Sequence, residues 1–148
     1  MREAVRDKGR LEDILTAIRN IREFTEGVSF KMFQHDKLRY FAILKNVEII
    51  GEAAFMLTKE YRADHPGIPW DDIIRMRHVL VHGYASVLPE ILWETATKDI
   101  EALYPEILSA HANLTTDNIS PFYFERLTHI YADTRILADT ANKTKREG

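Results

Sequence analysis

The sequence predicts an all-α bundle. Apolar residues recur at three- and four-residue steps along most of the chain, the signature of helices with one buried face. Alternation of the kind a half-buried strand needs appears nowhere over a useful length. Only 6 glycines and 5 prolines are present, and the prolines sit between the periodic segments. With 148 residues the chain has the length of one domain. It divides into a helical bundle over residues 1–114 and a C-terminal helical extension over 115–148.

The first helix is read from Leu11, Ile14, Leu15, Ile18 and Ile21, which form one apolar stripe and lead to a stop near Gly27. Asp36 is the next N-cap signal. From Leu38 to about Tyr61 the pattern reads as one long helix. Leu38, Ala42, Ile49, Ala53 and Met56 form one stripe, and Ile43, Val47, Ile50, Ala54 and Leu57 another. A helix apolar on two sides is expected to be central, with neighbours on both. His65-Pro66-Gly67-Ile68-Pro69 breaks the pattern. A third helix runs from Trp70-Asp71 to about His82, where Gly83 fits a C-terminal cap. Pro89 opens a fourth, with Ile91, Trp93, Ala96, Ile100 and Leu103 inward. Pro105 perturbs it, and the apolar pattern resumes at Ile107 and Leu108. Asn113 to Ser120 is polar. A last helix is expected from Pro121 to about Ala141, carrying Phe122, Phe124, Leu127, Ile130, Tyr131, Ile136 and Leu137.

Composition narrows the function. Lys and Arg number 20 against 23 Asp and Glu, a net charge of -3. This argues against a protein that holds nucleic acid by bulk positive charge, and leaves room for a local basic groove. Cysteine is absent, which removes disulfides, thiol nucleophiles and thiolate metal sites. No apolar run approaches a membrane span, and the charged start MREAVRDKGR leads into no signal segment, so a cytoplasmic protein away from membranes is expected.

The chemistry concentrates in Arg75-Met76-Arg77-His78-Val79-Leu80-Val81-His82-Gly83-Tyr84. On a helix His78 and His82 share a face, while Arg77, Val81 and Tyr84 share the next. His82 lies at the helix C-terminus, where the dipole favours a protonated imidazole. An imidazole that exchanges a proton near neutrality suits general acid–base work. A guanidinium beside it can grip a phosphate with two parallel hydrogen bonds. Together they suit phosphodiester chemistry.

The same segment resembles the motif of HepT-type toxins of the HEPN superfamily: Arg77, four residues, His82, one residue, Tyr84. RLEDILTAIRNIREFTEG resembles that family's first helix, KNVEIIGEAA its second, and IPWDDIIRMRHVLVHGY its third. Trp93 and Asp99 fall where its fourth helix has similar residues. His78 departs from the pattern, since relatives most often carry Asn there. The segment after about Leu114 matches nothing in the family. The resemblance implies a HEPN-like up-down four-helix bundle, here with an additional C-terminal helix. It implies a metal-independent endoribonuclease toxin that needs no cofactor. Arg77 and His82 are its implied catalytic residues, with His78 in support. Their RNA groove forms at a homodimer interface. It further implies an antitoxin partner, an MNT-type nucleotidyltransferase that transfers AMP to Tyr84.

Other readings of these residues stand beside that one. Arg77 and His82 are also what a helix-end surface pair looks like, and Tyr84 what an aromatic packed on the third helix looks like. His78 and His82 at i, i+4 can chelate zinc, but no HExxH and no obvious third ligand accompany them. Lys45, Glu48 and Glu52 form a polar stripe on the second helix, either a buried ion-pair set or the wall of a site. Trp70 and Trp93 read as core. Arg2, Arg6, Lys8 and Arg10 at one end, and Lys143, Lys145 and Arg146 at the other, read as solvated tails. The rival function is a non-catalytic HEPN module that accompanies a nucleotidyltransferase and holds nucleotide or RNA without cutting it. A helical adaptor is the third.

Overall fold

The computed structural model describes residues 2–83 and 87–116; the expected helix at 121–141 and the basic residues Lys143, Lys145 and Arg146 lie outside them. The described residues are helical with no strand, an all-α bundle. Helix α1 spans Arg2–Thr25 and α3 spans Lys37–Met56, with the short α2, Phe30–Phe33, between them. Then come α4, Lys59–Asp64, and α5, Trp70–Gly83. Helix α6, Pro89–Glu94, runs through a π-helical turn at Thr95–Asp99 into α7, Ile100–Thr116. By its contacts the chain divides into Met1–His111 and Ala112–Gly148, and the description below concerns the first unit.

Helix α1 begins earlier than the apolar stripe indicates. Arg6, Lys8 and Arg10 sit within it rather than in a solvated tail. The stripe itself, Leu11, Ile14, Leu15, Ile18 and Ile21, is fully buried. Each such side chain contributes roughly 1.5–3 kcal/mol by leaving water. The helix ends where it was expected to end. Gly27 takes a positive φ of 67°, a conformation glycine adopts without strain. Asp36 caps α3, its carboxylate accepting from the Arg39 N–H at 3.0 Å. That bond, with the Arg39 guanidinium beside it, holds the Asp36 carboxyl below its ordinary range.

Helix α3 is central, packed against α1 on one side and α5 on another. Of its two apolar stripes only one is fully buried: Ile43, Val47, Ile50, Ala54 and Leu57. On the other, Ala53 is buried, whereas Leu38, Ile49 and Met56 are exposed beside Phe41 and Phe55. Buried Asn46 ties α3 to α1, its Oδ1 accepting from Asn20 Nδ2 at 3.0 Å while its Nδ2 donates to the Ala42 carbonyl.

The expected single helix from Leu38 to Tyr61 is in fact two. Leu57 is extended, and Thr58 caps α4 by accepting from the Tyr61 N–H at 3.1 Å. The break is fixed from α1. The buried Asp7 carboxylate accepts from the Thr58 N–H at 2.9 Å and from its hydroxyl at 2.7 Å. An orphan N–H at a helix start is thereby satisfied by a distant carboxylate.

Trp70 is buried and donates from Nε1 to the His65 carbonyl at 3.0 Å. Trp93 is half-buried, its ring 5.0 Å from that of Phe33. Ile91, expected inward, is exposed, and Leu92 takes its place in the core. The perturbation expected at Pro105 is displaced upstream. Helix α7 passes through Pro105 unbroken, while the Ile100 N–H bonds to the Thr95 carbonyl in the wider π turn. There Thr97 Oγ1 also donates to the Trp93 carbonyl at 2.7 Å, competing for an acceptor of the helix ladder.

Candidate active site

The site is built on the C-terminal half of α5 where it lies along α3. The approach of the two helices is set by Gly51. A Cβ at this position would lie 2.2 Å from Arg77 Cβ and 3.2 Å from Arg77 Cα. Only a residue without a side chain admits α5 at this depth. Arg77 therefore leaves α5 inside the seam and is largely covered, with 27% of its side chain exposed. Its Nε pairs with Glu52 Oε2 on α3, and its guanidinium lies over the Phe55 ring, 5.4 Å from the centroid.

His78 and His82 follow on the exposed side of α5, one turn apart, their rings 4.6 Å between centroids. The i, i+4 spacing brings the two imidazoles together. His82 stands in the last turn of α5, next to the final helical residue Gly83. Arg77 and His82 are thus five residues apart on the C-terminal half of α5, Arg77 in the seam with α3 and His82 on the exposed side with His78. Tyr84 lies outside the described residues. Among the described residues no group of three His, Asp or Glu side chains is placed to hold a metal ion.

The polar stripe on α3 resolves into two ion pairs, one of them to Arg77. Lys45 and Glu48 pair at 3.4 Å on its exposed part, and Glu52 reaches Arg77. Sequence reasoning saw Glu52 and left its role open, and it missed Gly51 and Phe55 as part of the site. The signal was present in the string GEAAF, where the small residue, the carboxylate and the aromatic follow at one- and three-residue steps. A separate cavity of about 450 Å³ opens between α3, α5 and α7, with Val47, Ile50, Ile73, Met76 and Leu103 in its wall. Arg77, His78 and His82 do not line it. Its wall is mostly apolar with the carboxylates of Asp72, Asp99 and Glu106 and, among the described residues, no cation, so the arginine and histidines of α5 are the better place for phosphate chemistry.

Comparison with known proteins identifies the family. The family model described as "Ribonuclease HepT-like" matches residues 14–110, which contain α3, α5 and the whole described site. A protein of Thermococcus cleftensis named "Probable ribonuclease HepT" is 43% identical over 96 residues, covering 65% of this chain and 87% of its own. A protein of Caldanaerobacter subterraneus named as a candidate RNase is 39% identical over 97 residues, covering 66% of this chain and 87% of its own. Another candidate RNase, from Methanocaldococcus jannaschii, is 29% identical over 100 residues, 68% of this chain and 92% of its own. No solved structure matches the chain with significance. No described helix is long and apolar enough to cross a membrane. The all-helical bundle, the motif on α5 and the match over residues 14–110 together establish that the chain belongs to the HepT-like ribonuclease family.

Proposed function

We propose that this chain is an endoribonuclease toxin whose catalytic residues are Arg77 and His82. The observation that carries the reading is that one end of α5 carries a guanidinium held against α3 and, five residues on, an exposed imidazole. The nucleophile is the 2′-hydroxyl of the RNA itself. His82 accepts its proton or protonates the leaving 5′-oxygen, and Arg77 stabilises the charge that grows on the phosphorus oxygens. The products are a 2′,3′-cyclic phosphate and a 5′-hydroxyl. His78, its ring tilted against that of His82, supports it or contacts RNA. This chemistry needs no metal and no other cofactor.

In-line cleavage wants an acid and a base on opposite sides of the phosphate. One motif supplies one His82, so the working unit is a homodimer in which two motifs face a shared groove. The antitoxin is an MNT-type nucleotidyltransferase that transfers AMP to Tyr84. The modification adds negative charge and a purine to the space the RNA needs.

The test is incubation of purified protein with total RNA in EDTA, beside Arg77→Ala and His82→Ala variants. Cleavage is expected to persist in EDTA and to fall by about 10²–10³ in each variant. A 2′-deoxy substrate is expected to stay intact. Cutting of the deoxy substrate, or loss of activity on chelation, overturns the mechanism. Co-expression with a cognate MNT-type nucleotidyltransferase is expected to add AMP in mass units that disappear in Tyr84→Phe. Neutralisation without any mass shift overturns that part.

A further inference from the structure

We propose that Glu52 and Phe55 of α3 are positioning residues for Arg77, aiming its guanidinium at the scissile phosphate. The inference rests on the ribonuclease reading above and adds residues outside the arginine–histidine motif.

A guanidinium has two edges that can grip an oxyanion: the side edge that includes Nε, and the end edge formed by Nη1 and Nη2. Glu52 occupies Nε. Among the described residues Arg77 has no hydrogen bond and no other ion pair, so its end edge is left for a ligand. The Phe55 ring under the guanidinium plane restrains its tilt, as cation–π geometry does. Gly51 sets the depth from which the side chain starts. Three consecutive constraints therefore act on one long side chain that carries about 2 kcal/mol of rotamer entropy when free.

Both residues are exposed within the protomer. Phe55 is 50% exposed, a large apolar side chain that the core does not use. The Glu52 side chain is 49% exposed, where an ion pair adds little stability. Their value is directional. A carboxylate so near the phosphate site costs some RNA affinity by repulsion, and that cost is offset by an arginine already in its reactive orientation.

The experiment compares Glu52→Ala, Glu52→Gln and Phe55→Leu in the full chain, with kcat and KM measured on RNA. Glu52→Ala is expected to lower kcat by roughly tenfold or more, since small misplacements at a reacting centre have large effects. KM is expected to change less than about threefold or to fall, because the repelling charge is gone. Glu52→Gln keeps the shape but removes the charge of the ion pair, and is expected to lose rate toward the alanine level. It is isosteric, and it serves if the alanine variant is unstable. The second readout needs no activity. The Arg77 Nε–Hε NMR signal, assigned by its loss in Arg77→Lys, is expected to be ordered in the native chain and mobile in Glu52→Ala. Native kcat in Glu52→Ala, or an Arg77 signal equally ordered in both, overturns the proposal. If Arg77→Ala itself cleaves at the native rate, the ribonuclease reading fails and takes this one with it. An inactive Arg77→Ala beside a fully active Glu52→Ala leaves that reading standing and removes only this one.

Discussion

His111 shows how a single side chain writes pH into the bundle. It is fully buried on α7, with Nε2 3.4 Å from Glu12 Oε1 on α1. Burial pushes its imidazole below the ordinary 6.5, with the Glu12 carboxylate pulling the other way and Lys8 reinforcing the downward shift. The folded state therefore holds the neutral ring where the unfolded chain already binds a proton. Below about 6.5 the unfolded state carries more protons, so stability rises with pH through that window and is lost as pH falls. Native protein is expected to lose melting temperature between about pH 7.5 and about pH 5.5, and His111→Gln to lose less. Thermal melts at the two values check it; equal losses would show that other groups set the acid limb. Tyr61 carries the opposite kind of shift. Burial, with the Asp7 carboxylate nearby, pushes its hydroxyl up to about 12, so it stays protonated throughout this range.

Elements were legible where their stabilising contacts are local and obscure where they are distant. The buried stripe of α1, the stop at Gly27 and the Asp36 cap of α3 are written within a few residues of where they act. The break at Leu57–Thr58 is not, because the carboxylate that fixes it stands 51 residues away at Asp7. The apolar pattern through Tyr61 reads the same whether the chain bends or continues. The candidate site divides likewise. Arg77 and His82 were visible as a spacing, and Glu52 as part of a stripe. The role of Gly51 is a fact of helix–helix approach that no local pattern encodes. Nor could periodicity say which of the two stripes of α3 faces water. The capped break carries its own prediction. Thr58→Ala removes the α4 cap and strips the buried Asp7 of its hydroxyl donor, a loss of roughly 2–4 kcal/mol. Thr58→Ser retains both bonds and is expected to stay near native. Urea unfolding midpoints measure the pair, and an alanine variant as stable as native would show that Asp7 is satisfied in another way.

At the scale of the whole molecule, the exposed stripe of α3 asks for a partner. Leu38, Phe41, Ile49, Phe55 and Met56 are exposed along one helix, with Val79 and Val81 exposed on α5 beside them. Scattered exposed apolar residues are ordinary, but a run along one helix and its neighbour marks an interaction surface. The stripe borders the Arg77–Glu52 pair, so whatever covers it also walls the proposed groove. A second copy of the chain satisfies both demands: it covers apolar surface with apolar surface and brings the opposing His82 that in-line cleavage requires. A stable interface of this kind buries about 1,200–2,000 Å² in total. Leu38 and Met56 are 84% and 47% exposed, so a charge at either leaves the core of the protomer intact. Leu38→Glu combined with Met56→Glu is therefore expected to leave helicity unchanged, to give a monomer in sedimentation equilibrium, and to lose most RNA cleavage. Native protein is expected to sediment as a dimer and to lose specific activity on dilution as it dissociates. A native monomer with concentration-independent activity would refute the shared groove, because a single His82 would then be serving as both acid and base.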